Sequence, residues 1–297
     1  MNVCAPINFF AMLTVLYSEI RHYAKLRNVS GKFIAQRHER HKTNLLTIKP
    51  NYFKIMRELI FTILLTMTIF EAKTQDIFDA YEKHNYTKLE KLLSKGADPN
   101  ELNINGITLM FKAAWTNDVE LAKILVRYGG KVELSGGSCN MTSLHTACQQ
   151  NSYEVAKFFI ENGADVNSKC SCAGNQTPIR FACKTGSIKL VSMLLEAGAN
   201  IEESPDDKMT PLIQAARSNH YDLCEFLIQK GANVNAYARD KECALNEAIK
   251  NNNTEIVKLL LNNGALVTYI DEFNHSSLDL AKKVKNQEII KLIKSKL

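Results

Sequence analysis

Eight cysteines, seven histidines and 31 carboxylates set the chemistry open to this 297-residue chain. Three of the cysteines, Cys139, Cys170 and Cys172, lie in polar stretches rich in Gly, Ser and Asn. Thiols in such places bridge, bind metal or stay free. Zinc takes four ligands, and paired cysteine ligands usually stand two residues apart. A C-x-C pair plus one further thiol, with no convergent histidine, is an incomplete set. If the chain is exported to an oxidising compartment, a disulfide from Cys139 to Cys170 or Cys172 is open to them; unpaired loop thiols are the leading reading. Glu202-Glu203 and Asp206-Asp207 form a carboxylate cluster. A general acid needs a cleft and a raised pKa, and neither is evident there, so the run reads as a solvated tip. The chain has no Gly-rich phosphate loop, no H-E-x-x-H pair and no nucleophile elbow. No catalytic residues, metal ligands or cofactor-binding residues are assigned, and the chain reads as a non-enzyme.

The elements that would position these groups are best seen in Met209–Asn235. Thr210-Pro211 supplies a hydroxyl N-cap and a proline suited to the first helical position. Leu212, Ala215 and Ala216 form one small, apolar face. A break at Ser218-Asn219 leads to a second helix carrying Leu223, Cys224, Phe226, Leu227 and Ile228, and Gly231 closes it as a left-handed C′ residue. Two short helices cannot bury both apolar faces within one such unit. Neighbours are required.

The chain supplies them. The closing glycine recurs at Gly96, Gly129, Gly163, Gly198, Gly231 and Gly264, at spacings of 33, 34, 35, 33 and 33 residues. The opening cap recurs at Thr108, Thr142, Thr177, Thr210 and Ser276, with Cys243 in the equivalent place, and GADPN, GADVN, GANIE and GANVN are near-copies. This period and these motifs resemble the ankyrin repeat, whose unit opens T-P-L-H-x-A and closes G-A-D-V-N. The resemblance covers residues 74–297 and resembles ankyrin-repeat proteins of intracellular bacteria. It implies an all-α solenoid of helix–turn–helix units with projecting finger loops: about seven units, five full and two terminal caps. The segment 74–95 reads as the first cap and Ser276–Leu297 as the last. Cys148, Cys183 and Cys224 fall in register with small core residues. Cys139, Cys170 and Cys172 fall in two lengthened turns, 133–141 and 167–176, expected to project as adjacent fingers. The motif's histidine stands only at His145; Phe111, Arg180, Ile213, Asn246 and Asp279 replace it elsewhere. In the family that imidazole ties neighbouring turns together, so His145 reads as structural, and its replacement implies weaker coupling between units.

Charge divides the chain. Residues 1–57 hold ten Lys/Arg against Glu19 and Glu39, so the formal +6 of the whole leaves −2 for the rest. A nearly neutral array lacks the basic face that phosphate binding needs, so no nucleic-acid partner is expected. Residues 1–55 read as a basic leader or upstream extension, and 56–73 as a short hydrophobic segment. Its apolar run, 59–70, is too short to span a bilayer but fits a signal-peptide core after Met56-Arg57. Export, a membrane-tethering segment, or a helix packed on the first unit all remain open. Membrane contact is expected only through 59–70 if it is not cleaved, and the compartment is left open between secreted or envelope-bound, tethered and cytoplasmic.

Ankyrin arrays bind proteins through the concave face of their inner helices and finger tips. The resemblance therefore implies a protein-interaction scaffold, with an enzyme inhibitor or ankyrin-bearing enzyme as the alternative. The position after each inner helix's paired small residues reads Glu82, Trp115, Gln149, Lys184, Arg217, Lys250 and Lys283 down the array. Trp115 is an aromatic anchor candidate, the four cations suit an acidic surface on a partner or host protein, and Tyr237 in a finger segment joins the set. The chain is expected to be a monomer without cofactors.

Overall fold

In the computed structural model of the chain, the described residues are 58, 60–62 and 76–297, except 137–139, 172–173 and 205. The basic leader, most of the 59–70 run, Cys139 and Cys172 lie outside them. Among the described residues, seven antiparallel helix pairs follow one another. They are 76–82 with Tyr86–Ser94, Leu109–Thr116 with Val119–Arg127, Ser143–Gln149 with Tyr153–Glu161, Pro178–Thr185 with Ile188–Glu196, Pro211–Arg217 with Tyr221–Gln229, Ala244–Lys250 with Thr254–Asn262, and Ser277–Val284 with Gln287–Lys294. The first helix of each pair is the inner one. From the second pair on, each inner helix packs on its own outer helix and on the inner helix of the next unit, the solenoid architecture expected. The only sheet among the described residues is a two-residue hairpin, Ser135–Gly136 with Met141–Thr142, at the base of a finger.

Local chemistry sets each unit's limits. Thr108, Thr142, Thr210 and Ser276 have extended backbones, and their hydroxyls accept the N–H three residues on, which fixes the inner-helix starts. Pro178 and Pro211 occupy first helical positions, where no N–H is needed. Gly231, like its five equivalents, has φ near +90° after the outer helix. A Cβ there would meet nothing within 4 Å, so the backbone sign, not space, demands glycine.

The inner helices share one buried column: Ala113, Ala147, Ala182, Ala215, Ala248 and Ala281 are all fully buried. A methyl at that place lets adjacent inner helices approach closely. Cys148, Cys183 and Cys224 are buried as their register implies. Burial pushes their thiols up, Cys224 to about 12, so little reactive thiolate forms. Cys170 departs from the expectation of a projecting finger thiol. It is 1% exposed and pairs by its N–H with the Gln176 carbonyl at 2.9 Å, closing the finger from within.

Units are tied by one recurring contact. The residue four after each of the first five closing glycines reaches the next unit: Asn100, Glu133, Asn167, Glu202 and Asn235 accept the N–H of Lys131, Asp165, Asn200, Asn233 and Leu266 at 2.7–3.2 Å. The three asparagines also donate Nδ2 to the carbonyls of Gly129, Gly198 and Gly264 at 3.0–3.1 Å. Two residues earlier, Asp98, Asp165, Asn200 and Asn233 accept the clasp residue's own N–H and fix its turn. This is the physical content of the G-A-D-x-N motif. Coupling between units therefore does not rest on the histidine alone.

Cys243 caps the sixth inner helix with extended backbone but no side-chain cap hydrogen bond. Replacing it by threonine restores the hydroxyl that works at Thr108 and Thr210. Cys243→Thr should raise the unfolding free energy by about 0.5–2 kcal/mol in denaturant melts. A loss would mean that its hydroxyl turns away from the helix, as the buried and unpartnered Thr177 hydroxyl does.

Candidate functional site

Side chains at the ends of the inner helices face outward because the alanine column two residues earlier faces the neighbouring units. Glu82, Trp115, Gln149, Lys184, Arg217, Lys250 and Lys283 are all exposed. Adjacent inner helices pack side by side, so these equivalent positions form one row. Trp115 is 53% exposed, and its ring stacks on Phe111 at 6.5 Å with 23° between planes. The indole is thus held by an aromatic neighbour while much of its surface meets solvent. Phe111, standing in place of the family's histidine, is the support for this arrangement.

The cationic half of the row is less uniform than its composition. Arg217 Nε donates to Glu247 Oε2 at 3.3 Å, and Lys250 Nζ pairs with Glu242 Oε1. Both carboxylates lie beneath the row, Glu242 at 3% exposure and Glu247 at 5%. Lys184 and Lys283 make no ion pair with any described residue. Burial raises the Glu242 carboxyl, opposed by the Lys250 hydrogen bond and charge. The register does not mark either acid as buried: Glu242 stands where Ile107, Met141, Gln176, Met209 and His275 stand, and Glu247 where Lys112, Thr146, Phe181, Gln214 and Leu280 stand.

Tyr237 does not lie on the row. It sits on a finger, 56% exposed, paired by backbone with Cys243 and 6.0 Å from the Tyr269 ring. Tyr269 is anchored in turn through its hydroxyl, which donates to the Asn235 carbonyl at 2.7 Å.

The carboxylate cluster is a set of struts. Glu202 accepts the Asn233 N–H at 2.7 Å, Glu203 pairs with Lys169 at 3.4 Å, and Asp206 accepts from Asn175 at 2.9 Å. Asp207 receives the Arg180 guanidinium at 2.7 Å and the Met209 N–H at 3.0 Å. Burial pushes the Asp207 carboxyl up, but the Arg180 hydrogen bond and charge outweigh it and hold it below its ordinary value. Asp206 and Asp207, with Gly174, Arg239, Asp240 and Glu272, line an open cleft of about 370 Å³ across the finger tips. Among the described residues, no group of three or more His, Cys, Asp and Glu side chains is placed to hold a metal ion. The proposed disulfide partners Cys139 and Cys172 lie outside the described residues, and no helix among those residues is long and apolar enough to cross a membrane.

His145 is fully buried and fully engaged. Its Nε2 lies 3.1 Å from the carbonyls of both Ser168 and Gln176, which only accept, so Nε2 carries the proton. Nδ1 then accepts from the Thr142 N–H and hydroxyl, at 3.3 and 2.8 Å. The imidazole thus joins its helix cap to the finger of the next unit. Burial lowers its pKa from 6.5 to about 4 against the pull of the two carbonyls.

Two family models, both of ankyrin repeats, match the chain, one over residues 77–170 and 168–238 and the other over 227–281. The ankyrin repeat protein L371 of Acanthamoeba polyphaga mimivirus is 27% identical over 124 residues, 42% of this chain and 16% of its own length. Fowlpox virus ankyrin repeat protein FPV014 is 29% identical over 129 residues, 43% of this chain and 29% of its own. The chain thus matches less than a third of the length of these relatives. The human ASB11 ankyrin repeat domain superposes with a TM-score of 0.65 at 25% identity, over 74% of this chain and 97% of that domain.

The His145 geometry gives a pH dependence with a defined sign. A histidine pKa depressed on folding means that the folded chain binds fewer protons than the unfolded one between about pH 4 and 6.5. The stabilising contribution is complete above pH 6.5 and is lost as pH falls toward 4, by about 3 kcal/mol in all. Denaturant melts of wild type and His145→Gln should converge by that amount between pH 7 and pH 4. A stability difference that is flat across this range would show that His145 does not titrate as described.

Proposed function

This chain belongs to the ankyrin-repeat family, and from that premise we propose that it is a protein-interaction scaffold whose binding face is the row from Glu82 to Lys283 with the adjoining fingers. Ankyrin arrays serve generally as protein–protein interaction modules. The observation that carries the assignment to this row is Trp115, a tryptophan 53% exposed at the end of an inner helix and stacked on Phe111. Trp is among the residue types that dominate interface energetics. In this reading the partner closes over Trp115 and extends along the row toward the cations, with Tyr237 at its finger edge. The array acts by presenting a rigid surface; no reacting group is asked of it.

Affinity capture with the 76–297 array as bait, in wild-type and Trp115→Ala forms, tests the proposal. A partner held by this face should bind the variant about 30-fold more weakly, as for loss of a 2 kcal/mol anchor, with helicity unchanged by circular dichroism. A partner indifferent to Trp115 but lost on shortening the fingers at 133–141 or 167–176 would move the site to the finger tips.

We further propose that translation starts at Met56 and that 56–72 acts as a signal peptide cleaved on export, supported by Met56-Arg57 before the apolar 59–70 run. N-terminal sequencing of the mature protein should find a start beyond residue 70. An intact Met1 would defeat this reading.

A further inference from the structure

We infer that Glu242 and Glu247 are built-in counter-charges that neutralise the centre of the binding row, so that acidic groups on a partner are read by Lys184 and Lys283 and not by Arg217 and Lys250. This rests on the row being the binding face and goes on to say which of its cations are available. The four cations alone suggest a continuous basic stripe, but their surroundings divide them in two.

Arg217 and Lys250 are half-exposed, and each leans on a carboxylate that the fold has taken out of water. Arg217 is tied down further, with Nη1 3.6 Å from Met209 Sδ. An incoming carboxylate would have to draw each cation off its buried acid. That acid would be left charged, desolvated and unpaired, which costs more than an exposed ion pair returns. Neither acid has a substitute at hand: Glu242 Oε2 and Glu247 Oε1 are already buried without a partner among the described residues. The two acids also repel one another, so each depends on its cation the more. At the scale of a Debye length, about 10 Å or less, the two pairs present no net charge.

Lys184 and Lys283 differ on each point. Both are exposed, and neither has a carboxylate among the described residues within ion-pairing distance. Gln176 and His275 occupy the places beneath them that Glu242 occupies beneath Lys250, and the His275 imidazole is itself engaged by Asp271 at 3.1 Å. The row therefore reads, from its N-terminal end, as a carboxylate paired with Lys112, an aromatic anchor, a neutral amide, an open cation, two closed pairs and a second open cation. Three repeat steps separate the two open cations. A partner that fits this pattern carries two acidic patches spaced across the array, with neutral hydrogen-bond acceptors between them for the remaining N–H groups of Arg217.

The test uses the full chain and a fluorescein-labelled poly-L-glutamate peptide, with binding read by anisotropy over a salt series. With the ten Lys/Arg of residues 1–57 common to every form, Lys184→Ser with Lys283→Ser should weaken binding relative to wild type and flatten its salt dependence. Glu242→Gln with Glu247→Gln should release Arg217 and Lys250, tighten binding about fivefold and steepen the salt dependence. A folded Gln variant with unchanged affinity and slope, or a wild-type chain that ignores the peptide at low salt, would overturn the inference. Should the Gln variant fail to fold, competitive amine labelling of the wild type read by mass spectrometry decides the matter. Lys184 and Lys283 should label several-fold faster than Lys250, and equal rates would overturn the inference. None of these readouts involves Trp115, so their failure is distinct from failure of the scaffold proposal.

Discussion

Each unit of this chain has two apolar helix faces and room to bury only one, so everything else depends on how firmly a unit holds its neighbour. Burial supplies the driving force along the alanine column, but burial is non-directional and would tolerate sliding of one unit on the next. Direction comes from the clasp residue four after each of the first five closing glycines. Where it is asparagine, the amide accepts and donates, fixing the next unit by two bonds of opposite sense. Where it is Glu133 or Glu202, only the accepting bond is available. Along the array the clasps therefore alternate, two bonds at Asn100, one at Glu133, two at Asn167, one at Glu202 and two at Asn235. Solenoid stability is a sum of unit and nearest-neighbour terms, so the junctions after Glu133 and Glu202 are the weaker couplings of this kind.

Other contacts add to the clasps, most of them between units. His145 belongs to the unit after Glu133 and ties its cap to the following finger. Arg180, in the equivalent position one unit on, is buried and reaches forward to Asp207 and Gln214. Asn246 accepts from Ser277 of the last unit at 2.8 Å, and Asp279 closes a capping box with Ser276. One position has thus been filled by an imidazole, a guanidinium, an amide and a carboxylate, each making a polar tie suited to its own chemistry. Phe111 and Ile213 make none, and Phe111 supports Trp115 instead. The histidine's replacement changes what the position does without leaving the units unconnected.

Local rules made much of this legible in the sequence. The caps, the N1 prolines, the closing glycines and the alanine column each act within a few residues, and a 33-residue period repeats them in phase. The burial of Cys148, Cys183 and Cys224 followed from register for the same reason. What was hidden depends on partners about thirty residues away. Nothing near Glu242 or Glu247 distinguishes a solvated glutamate from one folded under a cation, and the Glu202–Asp207 run looked like a tip although each acid is committed to a contact. A lengthened turn suggests projection of Cys170, whereas its backbone enters a bridge with Gln176 and the residue is buried. Tyr237 was legible as a finger residue, but its place beside the Tyr269 ring comes from packing between units.

The same division explains where specificity can reside. Cap, alanine column, closing glycine and clasp are each answerable to a hydrogen bond, a steric limit or a backbone sign, and leave little choice of residue. The position after the paired small residues answers to none of these, and it holds glutamate, tryptophan, glutamine, arginine and lysine along one array. A surface assembled from such positions is set by residues that the fold does not consume. Its charge nevertheless cannot be read from those residues alone. Glu242 and Glu247 show that a side chain below the row, at positions filled elsewhere by residues as different as Ile107 and Gln214, can cancel the cation above it. The recognition surface of a solenoid is therefore two layers deep, and its electrostatic pattern belongs to the pair of layers.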